Sequence, residues 1–197
     1  MESDDAKINL LARVARSTAR GVNALEGDGA ASILSLCAAS YGARPSEEAT
    51  VPTGFDPAAV ALFESIVEGA YLVAQADGVF DDQEKKAFER VVVTACGGAV
   101  AAKQVHALVA DLEDQLREDG LARRLDVLAS PVNKQDHARE VLRIAALLAQ
   151  TTDGVSAVER EMLVKIAGAC GLEPSAVDQA VADVHAAIAM ANAAHAG

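Results

Sequence analysis

Two stretches of this chain set carboxylates in turns between apolar helices, and clustered oxygen donors of that kind are what hard divalent cations prefer. The first, AYLVAQADGVFDDQEKKAFERVVVTACG, runs from Ala70 to Gly97. The second, AALLAQTTDGVSAVEREMLVKIAGACG, runs from Ala145 to Gly171. Both read as an apolar helix, Ala-Gln, Asp-Gly, a β-branched residue, an acidic or hydroxyl cap, a Glu, a second apolar helix and Ala-Cys-Gly. The separation shortens by one residue from Asp77/Asp153 to Glu84/Glu159, and by one more at Cys96/Cys170. Two old copies of one helix–acidic turn–helix unit account for that drift.

Much of the pattern has a structural explanation. Asp81-x-x-Glu84 and Ser156-x-x-Glu159 are capping boxes, in which the first side chain accepts from the N3 backbone and the Glu reaches back to the cap. Glycine after Asp is a normal helix stop. Asp77 and Asp153 are less well explained: in the last turn of a helix an acid faces the negative end of the macrodipole and costs a few tenths of a kcal/mol. The EF-hand comparison fails. With Asp77 at the fifth position of such a loop and Glu84 at its end, the first and third positions fall on Val73 and Gln75, and Val73 cannot coordinate a cation. The second copy is also one residue too short.

The elements that must position these turns read as helices throughout. Residues 6–25 put Ile8, Leu11, Ala15, Thr18, Val22 and Leu25 on one stripe, with Arg13, Arg16 and Arg20 on the opposite face. A basic amphipathic face suits peripheral contact with an anionic membrane or an acidic partner; the simpler reading is a solvated face against the protein's own acidic surface. After Gly27-Asp28-Gly29, residues 30–40 are apolar nearly all round, which implies burial in the body or at a subunit contact such as a homodimer.

The period stops between residues 42 and 56, a loop or linker that separates an N-terminal helical hairpin (1–41) from the main helical domain (57–197). Asp56-Pro57 opens a helix carrying Val60, Phe63 and Val67 inward and ending at Asp77-Gly78. Further helices follow from about Asp82, from Val100 to an interruption at Gly120, from Leu121 to before Pro131, from a cap at Asn133, across Met162–Cys170, and from Pro174. No stretch alternates as a strand does. The expected fold is an all-α compact bundle of about eight or nine helices with an internal duplication.

Composition narrows the function. Lys and Arg number 17 against 29 Asp and Glu, a net charge of −12, and nonspecific nucleic-acid binding needs the opposite balance. Aromatics are 3% and Trp is absent, so Ala, Val, Leu and Ile must build the core. Cys37, Cys96 and Cys170 are far apart in sequence and sit among apolar residues, as small buried hydrophobes in a reducing compartment do. The N-terminus is no signal peptide, and no uncharged apolar run approaches the roughly 18 residues a span requires. A cytoplasmic protein is expected. The four histidines are not clustered in sequence, and no nucleophile elbow or phosphate loop is present, so an enzyme is not expected.

The segments DGVFDDQEKKAFERV and DGVSAVEREMLVKIAGACGL resemble the two signature segments of the TerB family (tellurite-resistance protein B and relatives), over roughly residues 55–190. The second copy departs from the commoner pattern in having Thr152 before the Asp and a shorter turn. The resemblance implies a compact helical fold with the two acidic turns near a pseudo-twofold axis. It also implies a non-enzymatic stress-response role in the tellurite-resistance class, as sensor or adaptor to a protein partner. As metal ligands for Ca²⁺ or Mg²⁺ it implies Asp77, Asp81 and Glu84 in the first copy and Asp153 and Glu159 in the second. The alternative is a helical interaction or scaffold module with no bound ligand.

Overall fold

The computed structural model describes residues 2–17, 32–43, 55–78, 80–151 and 154–193. Among them the chain forms eight α-helices and no strand: α1 (Glu2–Arg16), α2 (Ile33–Gly42), α3 (Pro57–Ala74), α4 (Asp82–Ala95), α5 (Ala102–Ala129), α6 (Gln135–Leu148), α7 (Ala157–Ala169) and α8 (Ser175–Ala193). The all-α expectation holds. Of the first predicted stripe, Thr18, Val22 and Leu25 lie outside the described residues, as do Arg20, the 27–29 turn, most of the 42–56 linker and Asp153.

Local chemistry sets most of the boundaries. Asp56 caps α3 by accepting from Ala58 N at 2.9 Å, with Pro57 opening the first turn. The interruption expected at Gly120 is present: α5 is two helical arms that meet at a kink there, where φ of 75° and ψ of 162° are non-helical. That backbone region is essentially restricted to glycine, so one residue kinks a helix into two arms. Lys134, not Asn133, occupies the N-cap of α6, and no side chain caps it.

The two helices that begin the duplicated units, α3 and α6, lie against each other at the centre. Phe63, Ile66, Leu72, Val141 and Leu147 are wholly or almost wholly buried there. Gly69 permits the close approach, since a Cβ at that position would stand 3.0 Å from Val141 Cγ1. Helix α3 is the one described helix long and apolar enough to cross a membrane, and most of it is buried inside the body.

The second unit folds back on itself, with α7 packed on α6 and α8 and crossing to α3 and α5; in the first, α4 packs on α5 and, on its other side, on α1. Helix α1 is a wedge between α4 and α8 that the duplication alone does not supply. Its fastening is polar. Buried Arg143 of α6 grips Glu140 through Nε and Nη2 at 2.8 and 3.0 Å and donates to the carbonyls of Val14 and Ala15 at 3.1 and 3.0 Å. In return Arg13 donates to the carbonyl of Ala191, and Arg16 to that of Thr94 at 2.7 Å. All four carbonyls lie in the last turn of their helices, where orphan oxygens and the negative dipole end favour a guanidinium. Two arginines of the predicted basic face are thus spent on helix ends.

Helix α2 lies along α3 and meets the connection between α4 and α5. A Cβ on Gly42 would fall 1.7 Å from the carbonyl oxygen of Ala99, so the two backbones touch directly.

Removing one member of a buried ion pair strands its partner, at a cost of about 3–5 kcal/mol. Arg143→Ala is therefore expected to destabilise the protein by about 4 kcal/mol in urea unfolding, a loss of that class. The double change Glu140→Leu/Arg143→Met, which strands no charge, is expected to be less damaging than the single one. A single variant with wild-type stability would show that α1 is not held through Arg143.

Candidate functional site

In the first unit the turn between α3 and α4 is built by three separate interactions. Asp81 Oδ1 accepts from Gln83 N at 2.8 Å and Glu84 N at 2.9 Å, and Glu84 Oε2 accepts from Asp81 N at 3.1 Å. The capping box read from sequence is complete. Gly78, at φ 80°, donates its N–H to Gln75 O at 3.0 Å. Beneath the turn Phe80 stands edge-on to Tyr71 of α3 and to Phe88 of α4, with ring centroids 5.7 and 5.9 Å away. Edge-to-face geometry is a favoured aromatic arrangement, so Phe80 pins the turn to the body from below while the box fixes it from above.

The second turn repeats the box: Ser156 Oγ accepts from Glu159 N at 3.2 Å, and Glu159 Oε2 accepts from Ser156 N at 2.7 Å. Val155, partly buried against the core, takes the place of Phe80.

Of the five residues expected as metal ligands, Asp81, Glu84 and Glu159 thus each have an oxygen committed to a helix cap. Asp77 is exposed in the turn, and Asp153 lies outside the described residues. Asp77 is not in the last turn of a helix as expected, because α3 ends at Ala74 with Gln75 as its C-cap. Asp77 is three residues beyond the helix, and the macrodipole effect falls off within the last turn, so much of the supposed cost disappears. Among the described residues no group of three or more His, Cys, Asp and Glu side chains gathers closely enough to hold a metal ion. The described part of the acidic turns is therefore not a preformed cation cage.

Burial pushes the thiols of Cys37 and Cys170 up to about 11 and that of Cys96 to about 12. Thiols so raised carry almost no thiolate near neutral pH and are poor nucleophiles and reductants.

Besides Glu140 and Arg143, the charged residues that the apolar periodicity concealed are Glu68 and Arg124. Glu68 sits inside the apolar run of α3, and Arg124 follows the Gly120 kink on the second arm of α5. Arg124 Nε donates to Glu68 Oε1 at 2.7 Å and Nη1 to Asp119 Oδ2 at 3.2 Å, so the pair joins α3 to both arms. Burial pushes the Glu68 carboxyl up, with Arg124 opposing. The pair lines a cleft of about 710 Å³ between α3 and α5. The sequence signal was slight: Glu68 is the second of two glutamates in VALFESIVEGAYLVA, and only it falls among the buried positions of that run.

Compared with protein-family models, with curated proteins and with solved structures, the chain matches none.

Two outcomes follow from this geometry. Asp81→Ala removes a cap that serves two backbone N–H groups and is expected to cost about 1 kcal/mol in thermal or urea unfolding, whereas Asp77→Asn is expected to leave stability within about 0.5 kcal/mol, as exposed changes do. Equal losses in both would show that Asp77 also supports the turn. At pH 8 the native protein is expected to react with an aromatic disulfide reagent far more slowly than the urea-unfolded chain, and fast reaction of Cys37 or Cys96 in the native protein would contradict their burial.

Proposed function

We propose that this is a non-enzymatic, TerB-like helical interaction module of the stress-response, tellurite-resistance class, which presents its acidic turns to a protein partner. The observation that supports this reading is the double capping box. The turns retain their acids and hydroxyls at both copies, and Asp81, Glu84, Ser156 and Glu159 all serve to hold the loops in shape. A turn stiffened from within and pinned by Phe80 is a pre-organised surface, which lowers the ordering cost of binding. With a net charge of −12, the partner that such a surface attracts is basic. The resemblance to the TerB family, from the sequence segments alone, supplies the stress-response assignment.

A second reading has one observation in its favour. Asp77 is exposed in the same α3–α4 turn that Asp81 and Glu84 cap, so a Ca²⁺ or Mg²⁺ ion that drew these residues together with Asp153 and Glu159 would make the turns a cation site.

Calcium titration by calorimetry, on the wild type and on Asp77→Asn/Asp153→Asn, separates the two. The module reading expects no saturable heat up to about 1 mM, the weak end of protein calcium sites, and the same thermal midpoint in both proteins with and without calcium. A saturable heat in the wild type that the double variant loses would replace it with the cation reading.

A further inference from the structure

The cleft between α3 and the two arms of α5 combines features that the acidic turns lack. At its floor Glu68 and Arg124 are only 4% and 7% exposed. Glu68 gives one oxygen to Arg124. Among the described residues Glu68 Oε2 accepts no hydrogen bond, and it is not among the sealed polar atoms left without a partner. A buried ion pair of this sort contributes little net stability, because the desolvation of both charges offsets their attraction. Folding alone therefore gives weak reason for placing it here. A carboxylate whose ionised form is disfavoured by burial gains from a second positive charge.

The walls decide the sign and shape of that charge. Glu64, Asp111 and Asp126 stand on them against one further cation, Arg123, and Leu108, Leu112 and Val127 supply apolar surface. An anionic ligand would meet an excess of carboxylates, and no three of them gather to hold a metal ion. A volume of about 710 Å³ falls in the ordinary range for small organic ligands. The larger cleft, about 910 Å³ beside α6 and α8, has its buried cation Arg143 already saturated by Glu140 and the α1 carbonyls.

We propose that the α3–α5 cleft binds a small aliphatic amine, its ammonium group hydrogen-bonded to Glu68 and its methylene chain lying on Leu108, Leu112 and Val127. Asp111 and Asp126 then receive the second ammonium of a diamine. The Gly120 kink is what opens the space, since the two arms form adjacent walls. This site is independent of the acidic turns and of the reading placed on them.

The test is an amide NMR titration of the full chain with 1,4-diaminobutane as probe and uncharged 1,4-butanediol as control. Saturable shifts are expected for residues 108–115 and 123–130 with the diamine and not with the diol. Charge-assisted hydrogen bonds of this type are worth a factor of about ten or more, so Glu68→Gln is expected to weaken binding at least about tenfold. Asp111→Asn/Asp126→Asn, at exposed positions that leave the buried pair intact, is expected to weaken the diamine but to spare a monoamine. Three results would overturn the proposal: no saturation, shifts confined to the 77–84 turn, or a diol that binds as well as the diamine. Wild-type affinity in the double variant would overturn the assignment of the second ammonium, even if Glu68→Gln failed to fold.

Discussion

The body of this protein depends on a buried guanidinium meeting the end of a helix. Arg143 neutralises Glu140 on its own helix and still reaches two carbonyls of α1. A buried charge is tolerable only when it is paired and its remaining donors are satisfied. Here the last donors are satisfied by another element, so the electrostatic comfort of α6 and the position of α1 are one requirement. Arg13 and Arg16 extend the same chemistry outward from α1 to α8 and α4. The result is a core whose apolar packing is general and whose helix ends are addressed individually.

That division explains what could be read from the sequence. The helices, the Asp56-Pro57 start and both capping boxes follow from rules that act within a few residues, and all are present in the structure. The Gly120 break was also legible, and the structure has it as a non-helical residue between two helical arms. Glu68, Arg124, Glu140 and Arg143 were illegible because their partners lie across the fold. Periodicity reports which face is buried and is silent on a charge that is buried together with its counter-ion. The basic face of α1 misled for the same reason: an arginine bound for a distant carbonyl has the spacing of one bound for water.

The acidic turns stand between these cases. Their caps were readable, and the caps commit oxygens of Asp81, Glu84 and Glu159 to the backbone. The placement of Asp77 depended on where α3 ends, and helix ends are the least determined feature of a pattern. Moving that end from the Asp-Gly pair to Ala74 changes the aspartate from a residue opposed by its helix into one on a surface turn. Phe80 shows a further limit. Its ring reaches Tyr71 and Phe88 at once, a bridge that no local pattern in DGVFDD encodes.

The meeting of Gly42 with Ala99 puts the smallest possible group at the point where α2 meets the α4–α5 connection. Shape complementarity there is complete without any side chain, so it can only be lost by addition. Even one methyl group would act as a shim between α2 and the α4–α5 connection, forcing one backbone away from the other. The seating of α2 is in this sense subtractive: it depends on keeping one position empty.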